Sequence, residues 1–115
     1  MDRDGRGIRP TRRALRPQVK VRLSPNALDD LARIGDWIQR DNPRRAASFV
    51  EELRAACREL GTFPRAFPAF PQFGPNARRR VHGNYLIVYD VEPDWVTVLT
   101  VVHGARDLDE MDRPS

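Results

Sequence analysis

The sequence has one cysteine, two histidines and no long apolar run, and these shortages exclude several classes of protein. A lone Cys57 cannot form an internal disulfide, which fits a reducing compartment, so we expect a cytoplasmic protein. Because His82 and His103 lie far apart along the chain, they do not make a metal-binding motif. The apolar stretches fall well short of the roughly 20 residues that span a bilayer, so no membrane partner is predicted. The N-terminus also lacks the apolar core of a secretory signal.

Sequence motifs for cofactor binding are also missing. The chain has no glycine-rich phosphate loop and no serine nucleophile elbow, and no acidic pair has a spacing that marks it for acid–base catalysis. We therefore predict no cofactor and no metal. With 115 residues, of which 40% are hydrophobic and 31% charged, the chain is long enough for one globular domain with one core.

The positive charge is concentrated at the N-terminus. Residues 1–20 carry seven basic and two acidic side chains, a local charge of +5, whereas residues 21–115 carry 13 basic and 14 acidic side chains. Residues 1–17 are rich in glycine, proline and arginine, which predicts a disordered tail. This tail could attract nucleic acid without sequence preference, or it could be a solvated extension. The folded domain is predicted over 18–110, with a short C-terminal tail over 111–115.

A strand and two helices are predicted in the first half of the chain. Residues 19–23 alternate apolar and charged side chains, the pattern of a strand with one buried face. Ser-Pro at 24–25 and Asn-Pro at 42–43 each supply an N-cap residue followed by proline at the first helical position. Apolar residues then recur at helical spacing as far as Asp41 and Gly61 respectively. The short connection requires the two helices to fold back as an antiparallel hairpin.

A segment rich in phenylalanine and proline, residues 62–76, precedes the last third of the chain. Its prolines disfavour helix and central strand, so we expect it to lie across the sheet or the helices with its rings buried; a proline-rich docking motif is the alternative. Residues 77–82, 85–91 and 95–103 indicate three strands, with a two-residue turn at 83–84. The order β-α-α-β-β-β predicts an α+β domain, a helical hairpin packed on a small, mostly antiparallel sheet.

Basic side chains are the candidates for chemistry. Arg78, Arg79 and Arg80 enter the first strand of this meander, and His103 and Arg106 leave its last strand. Three consecutive arginines must alternate between the two faces of a strand, so they cannot all contact one phosphate. From the residues alone, His103 is either a structural residue that ends an apolar strand or part of a basic patch. Alternation also predicts one shared face for five residues of the last strand: Trp95, Thr97, Leu99, Val101 and His103.

The chain resembles the RelE/ParE superfamily of toxins from bacterial toxin–antitoxin pairs. Three stretches carry the resemblance, taken in order: VRLSPNALDDLARIGDWI, RRRVHGNYLIVYDVE and the overlapping NYLIVYDVEPDWVTVLTVVHGARDL. They cover about residues 19–109 and leave the basic tail outside. The resemblance implies the same α+β fold.

The superfamily contains two kinds of activity. RelE-like toxins cut messenger RNA on the ribosome with a basic set and a late tyrosine or histidine, and the matching residues here are Arg80, His103 and Arg106. ParE-like toxins act on DNA gyrase and have no evident nuclease site. No tyrosine follows Tyr89 and no histidine follows His103, so the chain looks closer to the ParE-like branch.

We therefore predict a toxin that inhibits gyrase by binding, without catalysis of its own. Its target contacts are predicted at Arg78, Arg79, Arg80, His103 and Arg106. The alternatives are a ribosome-dependent endoribonuclease that uses Arg80, His103 and Arg106, and a basic nucleic-acid-binding module.

Both toxin readings imply a cognate antitoxin. Members of the superfamily are usually neutralised by an extended, partly helical antitoxin segment that folds on an apolar surface of the toxin. The helical hairpin, residues 25–60, is the expected surface, with Trp37 either an anchor or a core residue. The residues predicted to contact the antitoxin are Leu31, Trp37, Ile38, Phe49 and Leu53.

Overall fold

The computed structural model describes residues 19–104, which form two helices packed on one four-stranded mixed sheet. The order confirms the predicted β-α-α-β-β-β arrangement. The elements are β1 (Lys20–Leu23), α1 (Pro25–Gln39), α2 (Pro43–Glu59), β2 (Ala77–His82), β3 (Tyr85–Val91) and β4 (Trp95–His103). The predictions about residues 1–17, Arg106 and residues 111–115 fall outside the described residues.

Both helices begin where the sequence predicts, because their cap residues satisfy backbone amides that the first turn leaves free. The Ser24 side chain accepts a hydrogen bond from the Ala27 amide at 3.0 Å, and Asn42 accepts one from the Arg45 amide at 3.1 Å. Proline follows each cap at the first helical position. Neither helix within residues 19–104 is long and apolar enough to cross a membrane.

The strand order in the sheet is β1-β4-β3-β2. β1 runs parallel to β4, and the other two pairs are antiparallel. β3 lies between two other strands and buries most of its side chains on both faces. The main core lies between the helices and one face of the sheet, and it contains Leu31, Leu53, Ile87, Tyr89 and Val98, among others.

A β-bulge interrupts β4. Tyr89 pairs with Val98 but its neighbour Val88 pairs with Thr100, so Leu99 is the extra residue. The prediction that alternate residues from Trp95 to His103 share one face is therefore wrong. Val101 packs in the main core, whereas Leu99 packs against a smaller cluster on the opposite face. His103 lies on the helix side, since its ring contacts that of Tyr85, a member of the main core.

The segment of residues 62–76 wraps around the outer edge of β2. Phe67 packs against the main core, whereas Phe70 is fully buried in the smaller cluster on the other face. Between them, Ala69 forms an isolated antiparallel bridge with Arg78, which pairs backbone groups at an edge that would otherwise be open. The expectation of buried rings holds for Phe70, but the Phe63 side chain is 56% exposed.

Candidate functional site

The three consecutive arginines lie on β2 and alternate between the two faces of the sheet, as predicted. Arg78 pairs with Tyr89 and Arg80 with Ile87, which places both on the helix side, and Arg79 lies on the opposite side. All three side chains are partly buried. The sequence therefore identifies their faces correctly, but their partners come from distant parts of the chain.

Arg78 and Arg80 are bound by backbone carbonyls. The Nη1 group of Arg78 donates to the carbonyl oxygen of Phe67 at 2.6 Å and to that of Arg65 at 3.3 Å. The Nη1 group of Arg80 donates to the Ala56 carbonyl at 3.0 Å and lies 2.9 Å from a carboxylate oxygen of Glu59. These guanidinium groups therefore tie β2 to segment 62–76 and to the last turns of α2.

Two of these arginines also contact aromatic rings through their guanidinium groups. The Arg80 guanidinium lies 4.9 Å from the centroid of the Phe67 ring, and that of Arg79 lies 5.2 Å from the centroid of Phe70. Such cation–π contacts are worth about 0.5–1 kcal/mol at exposed sites and more where water is excluded. All three arginines thus have partners within the chain, which lowers the charge each offers to an outside phosphate.

His103 lies at one end of a row of aromatic rings that crosses the sheet to α2. Its ring meets Tyr85 edge-on at 5.3 Å, Tyr85 lies 5.6 Å from Phe49, and Phe49 lies 5.5 Å from His82. The strand register aligns His82, Tyr85 and His103 across three strands. Sequence reasoning did not place His82 in this row, although the two-residue turn at Gly83 fixes it opposite Tyr85.

An ion-pair network joins α2 to the row of rings. Arg45 donates to the Glu52 carboxylate at 2.7 and 3.3 Å, and Nε2 of His82 lies 3.2 Å from Glu52 Oε1. The Arg45 hydrogen bond, and then that from His82, lowers the pKa of Glu52 below its ordinary value. The arrangement fixes the end of β2 against α2. Within residues 19–104, no three histidine, cysteine or carboxylate side chains gather as a metal site would require.

Arg80 and His103 share a face but are not adjacent. Arg80 aligns with Ile87 and Val101, so it is two residues short of the level of His103 and two strands away. Two strand spacings correspond to roughly 10 Å. Arg106, the third residue of the predicted basic set, lies outside the described residues.

The residues predicted to contact an antitoxin divide by exposure. Leu31, Phe49 and Leu53 are buried against the sheet, and Ile38 is partly buried and packs on the same core. The stripe with the strongest helical periodicity therefore faces the core of this chain. Trp37 differs, because its side chain is 53% exposed, with the Arg40 guanidinium 5.3 Å from the ring centroid. Contact with an antitoxin at these five residues stays a prediction.

A groove of about 400 Å³ lies between α1 and α2 on their outer side. Small or apolar residues from both helices line much of it, and the helices approach closely where Gly35 faces Val50. Asp36, Glu51 and Arg54 supply charge to the groove, and Leu28, 48% exposed, is its largest well-exposed apolar residue. The groove can accept an apolar ridge flanked by polar groups, as an amphipathic helix presents.

Comparison with known proteins agrees with this fold. The family model described as "ParE toxin of type II toxin-antitoxin system, parDE" matches residues 21–108. The chain is similar in structure to a chain of the chromosomal ParDE toxin–antitoxin system from P. aeruginosa, with a TM-score of 0.67 and 16% identity, covering 75% of this chain and 96% of that one.

A second similar structure comes from the toxin–antitoxin complex RelBE2 of Mycobacterium tuberculosis. Its TM-score is 0.54 at 23% identity, covering 76% of this chain and 99% of that one. At such identities the two structures establish the fold alone, and the family match comes from the sequence model. No curated protein sequence matches the chain.

Proposed function

The chain belongs to the ParE toxin family of type II toxin–antitoxin systems, and from this premise we propose that it inhibits DNA gyrase by binding. A cognate antitoxin would neutralise it. Inhibition by binding needs a complementary surface and no bond-breaking side chain. Among the residues predicted to contact the target, Arg79 and His103 lie on opposite faces of the sheet, so the proposed target must reach around an edge or end of the sheet.

One observation carries the preference for binding over RNA cleavage: the arginines of β2 are already held within the chain. Cleavage of RNA needs cations that converge on one phosphate and strengthen their contacts as negative charge develops. Arg78 and Arg80 donate to carbonyl oxygens, and Arg79 lies on the opposite face. This arrangement supports a structural role for the arginines, and His103 is then proposed to contact gyrase without taking part in bond cleavage.

For neutralisation, we propose that the antitoxin covers the groove between α1 and α2 and the exposed ring of Trp37. The groove is lined in large part by small and apolar residues, and Trp37 supplies a large ring that buries much area at a small entropic cost. Binding there would leave the arginines of β2 uncovered.

Induction of the chain in bacterial cells tests the proposal. We expect growth arrest with gyrase trapped on cleaved DNA, at equal expression, both for the unaltered protein and for His103→Ala. Val81→Ala, at an exposed residue of β2, is the matched control for handling and expression. Messenger RNA cut on ribosomes, and abolished by His103→Ala, would instead establish an endoribonuclease and overturn the proposal.

A further inference from the structure

Segment 62–76 covers only part of the outer edge of β2. The Phe70 amide donates to the Ala77 carbonyl oxygen at 2.8 Å. The Arg79 amide donates to the Pro68 carbonyl oxygen at 3.0 Å. Because proline has no N–H group, Pro68 cannot return a hydrogen bond to the Arg79 carbonyl oxygen. The pairing therefore stops at Arg79, and the rest of β2 extends beyond it.

Alternation along β2 directs the backbone groups of Val81 away from the sheet. Successive residues of an antiparallel edge strand point their N–H and C=O groups alternately to the neighbouring strand and outward. The Arg79 amide points outward, to Pro68, so the N–H and C=O of Val81 also point outward. Among residues 19–104, no hydrogen bond from outside the β2–β3 pair reaches these groups. We call the Arg79 C=O and the Val81 N–H and C=O the open β2 edge.

The surroundings of the open β2 edge are positively charged. Glu59, 2.9 Å from Arg80, is the only carboxylate among the described residues that forms an ion pair with an arginine of β2. The carbonyl oxygens that accept hydrogen bonds from these arginines carry no net charge. Glu52, one further carboxylate on the same side of α2, is already paired with Arg45. Three guanidinium groups against one carboxylate leave an excess of two positive charges.

This charge determines which kind of strand can pair with the open β2 edge. Two copies of β2 joined edge to edge would bring two sets of three arginines together, and like charges that face each other across strands destabilise the pair. A segment with carboxylate side chains is attracted instead. Because a peptide adds to a sheet edge through main-chain hydrogen bonds, the segment must also be extended.

We propose that the open β2 edge binds an extended acidic segment of DNA gyrase as an added strand. The inference rests on the proposed function and supplies a mode of contact for it. Backbone groups make the contact, while the arginines of β2 contribute charge and keep their hydrogen bonds within the chain. The edge belongs to the sheet and the groove lies on the outer side of the helices, so this surface is separate from the proposed antitoxin surface.

Amide hydrogen exchange on the full chain, followed by NMR, tests whether the edge is open. The Val81 amide should exchange at least about tenfold faster than the Arg79 amide, because only the latter is bonded to Pro68. Equal protection of the two amides would show that the edge is covered and would overturn the proposal. Gyrase is absent from this measurement, so its outcome does not depend on the proposed function.

Inhibition of gyrase supercoiling by variants of Val81 tests the added strand. Val81→Pro removes the outward N–H without removing a hydrogen bond to β3, since proline is tolerated in an edge strand where its nitrogen faces solvent. We expect the concentration for half-inhibition to rise about tenfold or more, because a backbone hydrogen bond is lost. Val81→Ala keeps both backbone groups and should inhibit like the unaltered protein. Equal inhibition by the two variants, both folded by circular dichroism, would overturn the proposal.

Two charged variants test the acidic character of the segment and do not rely on proline. The Val81 side chain is 63% exposed, so Val81→Glu and Val81→Lys should both fold. Val81→Glu should weaken gyrase inhibition relative to Val81→Lys, because it places a carboxylate beside the proposed segment. The reverse order, or no difference, would overturn the proposal. An unaltered protein that leaves gyrase fully active would instead overturn the proposed function, and this inference with it.

Discussion

The Asp30 carboxylate of α1 accepts hydrogen bonds from the backbone N–H of Val101, at 2.9 Å, and from the Thr100 hydroxyl. β1 ends at Leu23, opposite Val98, so the rest of β4 has no strand partner on that side. Asp30 satisfies an amide that the sheet leaves free, just beyond the bulge. Ser24 satisfies a backbone carbonyl in the same region, since its hydroxyl donates to the Leu99 carbonyl oxygen at 2.8 Å.

Replacement of this carboxylate should be costly. Asp30→Ala leaves the buried Val101 amide and Thr100 hydroxyl without their acceptor, and an unsatisfied buried donor costs about 1–3 kcal/mol. We expect the free energy of unfolding in urea to fall by about 2–4 kcal/mol. The neighbouring Asp29 is exposed, so Asp29→Ala should cost less than about 0.5 kcal/mol. Equal losses for the two variants would contradict the assigned role of Asp30.

The assignment of the β2 arginines to structure gives a second prediction. Arg78→Gln loses two charge-assisted hydrogen bonds to segment 62–76, and a hydrogen bond of this kind is worth about 1.5–3 kcal/mol. Arg79→Gln loses a cation–π contact of about 0.5–1 kcal/mol. Thermal unfolding should therefore show a larger loss for Arg78→Gln. If both variants keep the stability of the unaltered protein but lose toxicity, the arginines act on the target instead.

Cys57 makes the free energy of unfolding depend on pH in the alkaline range. Burial raises the pKa of its thiol from 9.0 to about 11. As pH rises, the Cys57 thiol ionises first in the unfolded chain. The stability that the chain gains from keeping this thiol protonated and buried is therefore complete below about pH 9 and is lost as pH approaches and passes about 11. Urea unfolding at about pH 8 and about pH 10.5 should show a loss on the order of 1–2 kcal/mol in the unaltered protein that Cys57→Ala lacks. The same pH response in both proteins would show that other groups cause it.

Trp37 tests the proposed antitoxin surface. Trp37→Ala removes an exposed ring of α1, and truncation of an aromatic anchor commonly costs 2 kcal/mol or more, so affinity for a cognate antitoxin should fall at least about tenfold. Calorimetric titration measures it. Val81, 63% exposed on the sheet, serves as the control, and Val81→Ala should bind normally. Normal binding by Trp37→Ala would move the antitoxin to another surface.

Most of the fold could be predicted from the sequence because its signals are local. Ser24 and Asn42 cap their helices through bonds to amides three residues away, and the turn at Gly83, with φ of 59°, depends on adjacent residues. The bulge at Leu99 could not be predicted in this way. It shifts the register between β3 and β4, and no residue within the strand marks it.

The candidate site was less predictable, because its contacts join residues far apart in the chain. Alternation assigned the faces of Arg78 and Arg80, but their acceptors depend on the path of segment 62–76 and on where α2 ends. No local signal in the sequence pointed to Asp30. Its burial and its contact with Val101 follow from the packing of α1 on β4.

Purified DNA gyrase provides the most direct test of the proposed inhibition. Supercoiling and the amount of cleaved DNA trapped on the enzyme are measured as the full chain is added, with the antitoxin as the neutralising control. We expect that supercoiling stops, that cleaved complexes accumulate, that the antitoxin reverses both, and that the His103→Ala protein still inhibits gyrase. Full gyrase activity in the presence of the folded chain would contradict the proposed function.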